Sequence, residues 1–175
     1  MFTSKQFISL KKTILMPMRY DTWMAIASLA LHVMFVIYIN SLYLALTRPL
    51  AIGATIAQPW NMMIIGMFLF GIPGFGLAGV AYMLAKGLAR KLEVRKATSM
   101  IIIAQGIVLM VGMVNAGSVE KVMNDYYVEV LTNRGEAYLF NIIPQIFMLA
   151  SLPLIGVGAH LYTVKPKQQR FKSSL

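Results

Sequence analysis

The chain has 175 residues, of which 58% are hydrophobic and 13% charged, with a formal net charge of +10 and no cysteine. Soluble domains carry about twice that charged fraction, so the composition is typical of a membrane protein. Without cysteine the chain supplies no thiolate nucleophile, disulfide or iron–sulfur ligand. Nucleic-acid binding is not indicated either, because the basic residues flank apolar segments and are not interleaved with stacking aromatics.

Residues 1–22 form a basic segment ahead of the first long apolar stretch. Phe7, Leu10 and Ile14 recur at helical spacing with lysines between them, and Pro17 follows. This pattern is typical of a short helix that lies in the membrane interface. We therefore predict an interfacial helix that ends at Pro17.

Four apolar segments follow, each of about the length that crosses a bilayer. A hydrocarbon layer about 30 Å thick requires roughly 20 apolar residues at 1.5 Å per residue. The segments do not alternate apolar and polar residues as transmembrane strands do, so they are predicted to be helices. The fold class is all-α: a single integral membrane domain over residues 1–175, a four-helix bundle with spans at residues 23–46, 62–85, 99–116 and 137–164 and a basic tail at 165–175.

The second span is rich in glycine around Pro73. Glycines in a membrane helix open a groove that admits a neighbouring backbone, a lipid or a flat cofactor, and proline favours a bend. We expect this span to be bent and to present an interface to other membrane chains. The interface glycines are Gly71, Gly74, Gly76 and Gly79.

The segment at 117–136 is predicted to be an outer amphipathic helix. Its apolar residues recur on one helical face, and acidic and basic residues occupy the other. An apolar face of this kind is expected to lie on the membrane surface or on a partner. The face consists of Val119, Val122, Met123, Tyr126 and Val130, and a turn at Thr132–Gly135 leads into the last span.

The fourth span contains two prolines, Pro144 and Pro153. Each removes a backbone N–H and frees a carbonyl one turn earlier. We expect Asn141, Gln145 and Ser151 to satisfy these carbonyls, and we expect the span to be bent.

The distribution of basic residues predicts the orientation. Thirteen of the sixteen precede the first span, join the second to the third, or follow the fourth. The positive-inside rule therefore places both termini on the cytoplasmic side. Anionic lipid headgroups are the expected counter-charge.

Two histidines are candidate cofactor ligands, His32 and His160. Paired imidazoles on facing helices are able to ligate haem b or a metal ion. His32 lies deeper in its span, by roughly 7 Å at 1.5 Å per residue, which argues against a shared ligand. No cofactor or metal is therefore predicted and haem b remains an alternative. The favoured interpretation gives His32 an interhelical hydrogen bond and His160 a position at the headgroups.

Amide side chains inside the spans form a further set of candidates. Asn40, Asn115, Asn141 and Gln145 lie toward the outer side, whereas Gln105 lies with the histidines toward the inner side. No Asp, Glu, Lys or Arg occupies the central stretch of a span, which disfavours a proton relay or a voltage sensor. The four outer amides are an alternative polar lining for small-molecule or ion permeation.

The favoured function is an accessory, non-catalytic structural subunit of a larger multi-subunit membrane complex of respiratory, photosynthetic or membrane-oxygenase type. Its expected partners are other integral membrane subunits and membrane lipids, contacted through the second-span glycines and the outer helix. The alternatives are a small-molecule or ion permeation protein and a haem- or quinone-binding redox subunit. A bacterial or archaeal cell membrane is favoured over an organelle inner membrane.

Overall fold

This computed structural model describes residues 20–48, 58–87 and 92–163 of the chain. These residues contain six α-helices and one π-helical turn. The predicted interfacial helix before Pro17 and the basic tail at 165–175 lie outside the described residues. The elements in chain order are α1 (Tyr20–Thr47), α2 (Pro59–Gly66), a π-helical turn (Met67–Gly71), α3 (Ile72–Gly87), α4 (Leu92–Glu120), α5 (Asp125–Asn133) and α6 (Ala137–Thr163).

Four stretches of helix are long and apolar enough to cross a bilayer. The stretches each contain 26 to 28 residues, more than the roughly 20 that a hydrocarbon layer requires. The predicted class, an all-helical bundle of four long apolar helices, is confirmed at this level. The stretches are Tyr20–Thr47, Pro59–Lys86, Arg95–Glu120 and Ala137–Thr163.

The third span differs most from its predicted bounds of 99–116. It was expected to be the shortest, yet α4 runs from Leu92 to Glu120 and is the longest helix, at 29 residues. The apolar run is short because the N-terminal turns of α4 carry polar side chains. The structure buries these side chains against neighbouring helices, so the helix continues where the hydropathy falls.

The four spans pack in the order α3, α1, α4, α6 around the bundle. α1 contacts both α3 and α4, and α4 packs along α6. α3 and α6 approach each other less closely, and aromatic rings fill part of the space between them. The rings of Phe75 and Phe147, for example, have centroids 6.1 Å apart. A cleft therefore remains between α3 and α6.

The second span changes its hydrogen-bond pattern just before Pro73. Met67–Gly71 forms a π-helical turn, and the N–H of Ile72 donates to the carbonyl of Met67. A π turn inserts one residue into a helix, and such insertions and prolines are both causes of helix bends. In α6, Pro144 and Pro153 lie within one continuous helix. The bends themselves remain predictions.

The outer segment departs from the single amphipathic helix predicted over 117–136. Val119 still belongs to α4, Val122 lies in the connection, and α5 begins only at Asp125. The break occurs because Asn124 caps α5: its side chain accepts a hydrogen bond from the N–H of Tyr126, 2.9 Å away. The predicted apolar face across Val119, Val122 and Tyr126 is therefore wrong.

Two other residues attach α5 to the bundle. Tyr127 and Leu131 are the buried side chains of this helix. The N–H of Asn124 also donates to the carbonyl of Leu46, 3.0 Å away, which ties the connection to the end of α1. After α5, Gly135 adopts φ +69° and the N–H of Glu136 donates to the carbonyl of Leu131. This is a Schellman ending, so the predicted turn before the last span is confirmed.

Candidate functional site

His32 and Gln105 meet in the middle of the bundle. His32 lies near the centre of α1 and Gln105 near the centre of α4, and both side chains are 0% exposed. Within the described part of the chain, neither ring nitrogen of His32 and neither amide atom of Gln105 has a hydrogen-bond partner. The imidazole lies close enough to interact with the Ser28 backbone and with the Gln105 side chain, but neither contact has the geometry of a full hydrogen bond.

Gly74 of α3 holds the imidazole from the other side. A Cβ atom at Gly74 would lie 2.9 Å from Cε1 of His32, so only glycine permits this approach. The hydroxyl of Ser28, one turn before His32, donates to the Gly74 carbonyl over 2.6 Å. Phe75 places its ring edge-on to the imidazole at a centroid distance of 4.8 Å. The imidazole is thus enclosed by three helices.

The structure does not bring His160 to His32. His160 is exposed on the surface of α6, whereas His32 faces the interior. The cleft that Phe75 lines has a volume of about 190 Å³, below the roughly 300–1,000 Å³ usual for cofactor sites. The residues around His32 therefore do not fit a haem held by both histidines. Among the described residues no three His, Asp or Glu side chains group as metal ligands.

His32 does not make the expected interhelical hydrogen bond among the described residues. Asn40, two turns further along α1, makes one instead. The amide of Asn40 donates to the carbonyls of Val36 and Gly112 at 2.9 and 3.0 Å. Its oxygen accepts a hydrogen bond from the Asn115 amide at 2.6 Å. These bonds join α1 to α4 beside a surface groove of about 610 Å³. Asn40 and Asn115 therefore act as a clamp between two helices.

The four outer amides do not form one lining. Asn40 and Asn115 lie beside the groove between α1 and α4, while Asn141 and Gln145 lie in a groove between α4 and α6. The Gln145 amide donates to the Asn141 oxygen over 3.0 Å within the same helix. Among the described residues, the two pairs lie in separate surface grooves.

The four interface glycines divide into two pairs. Gly71 lies under the ring of Phe147 and Gly74 under His32, so both serve contacts inside the bundle. No atom lies within 4 Å of the Cβ position at Gly76 or Gly79. The first pair is therefore used by this chain itself. Of the second pair, Gly76 is exposed on α3 and Gly79 lines the cleft between α3 and α6.

Tyr43 makes a contact that the sequence pattern did not predict. Its buried hydroxyl donates to the carbonyl of Phe140 over 2.6 Å. That carbonyl lies four residues before Pro144, which has no N–H to offer it. The freed carbonyl is thus satisfied from α1, and the prediction that Asn141, Gln145 and Ser151 serve this purpose is wrong for Phe140. The proline was the sequence signal that a donor from another helix was needed.

A buried polar cluster at the start of α1 was also missed. Asp21 is 0% exposed, and the hydroxyl of Thr98 donates to its Oδ2 over 3.2 Å. Nε of Arg95 donates to the carbonyl of Leu161 over 3.2 Å. The hydroxyl of Ser99 donates to the Gly158 carbonyl over 2.7 Å. Nothing in the spacing of Asp21 and Arg95 along the sequence indicated that the two charged groups would be buried.

Comparisons with protein-family models, with curated proteins and with solved structures found no match for this chain. The fold therefore defines a class, a helical protein with four candidate membrane spans, and the function has to be argued from the contacts described above.

Proposed function

We propose that this chain is an accessory, non-catalytic structural subunit of a larger multi-subunit membrane complex, of the respiratory, photosynthetic or membrane-oxygenase type. The observation that carries the proposal is the way in which the chain uses glycine. Gly71, Gly74, Gly106, Gly112 and Gly158 each have a side chain or backbone of another helix where a Cβ would lie. Gly76, in the same helix as Gly74, has none, and the same is true of Gly79, Gly117 and Gly156.

Glycine in a helix carries an energetic penalty of about 1 kcal/mol relative to alanine. Inside this chain the penalty is offset by close packing, because membrane helices associate mainly through van der Waals contact between small residues. At Gly76, which no described residue contacts, a helix of another chain would offer the same compensation. Val80, 43% exposed one turn further along α3, extends the same apolar surface. An apolar transmembrane helix of another subunit is the occupant that fits this face.

The outer end adds a second contact region. Val122 is 68% exposed and Tyr126 43% exposed, and both lie beyond the ends of the candidate spans. Tyr127 and Leu131 attach α5 to the bundle, so its exposed side chains are held in fixed positions. Apolar and tyrosine side chains at this level suit a partner subunit or the headgroup region.

The positive-inside rule supports an orientation with both termini on the cytoplasmic side and α5 at the opposite interface. We propose a bacterial or archaeal cell membrane as the location. Other integral membrane subunits and membrane lipids are the proposed partners.

Site-specific photo-crosslinking in native membranes tests the proposal. A benzoylphenylalanine at Val80 is expected to crosslink to a different integral membrane chain. The same probe at Ile37, 55% exposed on α1, is the matched control and is expected to label lipid. Gly76→Leu should reduce the Val80 crosslink at least tenfold without changing the fold of the isolated chain. Crosslinks from Val80 only to lipid, or equal crosslinks from both positions, would contradict the proposal.

A further inference from the structure

The groove between α4 and α6 changes from charged to apolar along its length, and we call it the outer groove. Glu120 and Lys121 line it where α4 ends. About two helical turns further into the bundle its lining includes Met113 of α4 and Met148 of α6. The groove has a volume of about 350 Å³, within the roughly 300–1,000 Å³ usual for small-molecule sites. It therefore offers a charged end and an apolar end to a single ligand.

The charged end of the outer groove lies at the level of the lipid headgroups. α6 has 27 residues and is about 40 Å long, whereas a hydrocarbon layer is about 30 Å thick. The first turn of α6 and the last turn of α4, which lies beside it, therefore extend into the headgroup region. The two methionines lie at the level of the acyl chains. The polar and apolar groups thus follow one another in the same order as those of a membrane lipid.

Glu120 and Lys121 present opposite charges to this groove. Within the described part of the chain, neither side chain makes a hydrogen bond or a salt bridge. A carboxylate binds an ammonium group, and a lysine ammonium binds a phosphate, through charge-assisted hydrogen bonds. A headgroup that joins an ammonium to a phosphate is therefore complementary to both charges, whereas a purely anionic headgroup is complementary only to Lys121.

The lining also favours one type of ammonium group. Quaternary ammonium groups are recognised by cages of aromatic rings, and no described residue that lines the outer groove is aromatic. A primary ammonium has N–H donors, which the carboxylate of Glu120 is able to accept. The groove is thus better matched to an ethanolamine headgroup than to a choline headgroup.

Two amides line the outer groove between its charged and apolar ends. Asn141 and Gln145 are both exposed on α6. The Gln145 amide donates to the Asn141 oxygen, and the N–H groups of Asn141 have no acceptor among the described residues. Contact of such donors with hydrocarbon alone is unfavourable. The phosphate and glycerol oxygens of a lipid are acceptors at this level.

We propose that the outer groove binds one phospholipid whose headgroup joins a primary ammonium to a phosphate, as in phosphatidylethanolamine. Glu120 binds the ammonium, Lys121 and Asn141 bind the phosphate, and an acyl chain lies along Met113 and Met148. This site specifies the membrane lipids among the proposed partners. It rests on the membrane location in the proposed function, but it does not require a partner subunit.

Native mass spectrometry of the full chain, released from detergent micelles, measures the affinity for individual lipids. The chain is titrated with phosphatidylethanolamine and, separately, with phosphatidylcholine that carries the same acyl chains. The two lipids have the same net charge and differ only in the methyl groups on nitrogen. We expect the first molecule of phosphatidylethanolamine to bind at least tenfold more tightly. Equal affinities, or tighter binding of phosphatidylcholine, would overturn the proposal.

A pair of charge variants assigns this preference to the outer groove. Glu120→Gln keeps the shape of the side chain and removes its charge, so the preference for phosphatidylethanolamine should fall below threefold. Glu129→Gln makes the same change on α5, outside the lining of the groove, and should keep the full preference. A tenfold preference that persists in Glu120→Gln, or an equal loss in both variants, would overturn the proposal.

A pair of glycine variants tests the space for the lipid. Gly117 lines the outer groove, and no atom lies within 4 Å of its Cβ position. Gly117→Leu fills the groove and should weaken binding of phosphatidylethanolamine at least tenfold. Gly156→Leu adds the same side chain at an open position of α6 outside the lining and should leave binding unchanged. Equal affinities of the two variants would overturn the proposal.

Thermal unfolding shows whether both glycine variants are folded. If Gly117→Leu does not fold, the isosteric Glu120→Gln variant decides alone. The Val80 crosslink reports the partner interface on α3 and does not involve the outer groove. Failure of the lipid site and failure of the proposed subunit role are therefore distinguishable.

Discussion

Two pairs of polar side chains lie between the same two helices, α1 and α4. They differ in the number of hydrogen bonds that they make. Asn40 and Asn115 make three hydrogen bonds of 3.0 Å or less, two of them to backbone carbonyls. His32 and Gln105, deeper in the same interface, make none among the described residues. The first pair has the properties of a structural clamp. The second pair is buried, and none of its side-chain nitrogen and oxygen atoms has a partner at full hydrogen-bond geometry among the described residues.

The comparison predicts that the two pairs respond differently to removal of their polar atoms. Taking one partner from a satisfied hydrogen bond leaves the other unpaired, whereas removing an unpartnered group relieves a desolvation penalty. Four variants break or sharpen this contrast, and they are considered in order of expected effect on the free energy of unfolding.

The largest effect is expected for Gly74→Val. The new Cβ would lie 2.9 Å from the His32 ring, and the Gly74 backbone is also held by Ser28. Overpacking of this kind lowers stability by about 3 kcal/mol. In a His32→Ala background the loss should fall by more than half. Gly76→Val, at an open position of the same helix, is the control for helix propensity. Equal losses at both glycines would show that the ring contact is unimportant.

Tyr43→Phe should have the next largest effect, about 1–3 kcal/mol, because it leaves the Phe140 carbonyl without a donor. Tyr38→Phe is a matched control. The Tyr38 hydroxyl donates to the carbonyl of Met62 over 2.8 Å, but that carbonyl lies four residues before Gly66, which has an N–H. The control should lose less than about 1 kcal/mol. Chemical unfolding in mixed micelles measures both, and a larger loss in Tyr38→Phe would refute the role given to Pro144.

Asn40→Leu, which keeps the shape of the side chain, should lower stability by about 1–2 kcal/mol because it removes all three bonds of the clamp. Asn115→Leu removes only one of these bonds and should lower stability by about 0.6 kcal/mol. The same unfolding assay orders the two variants. An inverted order would mean that the clamp is not centred on Asn40.

Gln105→Met should have the smallest effect, within about 0.5 kcal/mol of the wild type or slightly stabilising. The replacement keeps the volume and removes two unpartnered atoms. A loss as large as that of Asn40→Leu would show that Gln105 is hydrogen-bonded in the folded protein. In that case the contrast between the two pairs would disappear.

The sequence predicted the helices better than the contacts between them. Four apolar runs predict four spans because solvation alone determines where lipid-exposed helices lie. The sequence pattern underestimated the length of α4, because Thr98 and Ser99 look like the end of a span. Their hydrogen-bond partners lie on other helices. The prediction of a single helix in the outer segment was wrong for a local reason. Periodicity joined Val119 to Tyr126, but Asn124 starts a new helix between them.

The site shows the same limit. Depth along the spans predicted one layer with His32 and Gln105 and another with Asn40 and Asn115, and the structure pairs Asn40 with Asn115. Depth did not show which pair is hydrogen-bonded, because the acceptors include backbone carbonyls of another helix, such as that of Gly112. Nor could it divide the glycines of α3, since Gly74 and Gly76 differ only in which side of the helix faces the bundle.

The central claim, that this bundle works as a member of a larger assembly, is tested most directly by the mass of the particle it occupies. The full chain, extracted from its native membrane in polymer nanodiscs, is analysed by native mass spectrometry. We predict a particle that contains this 19.5 kDa chain and at least one different integral membrane chain at fixed stoichiometry. A particle that holds only this chain and lipid would contradict the claim.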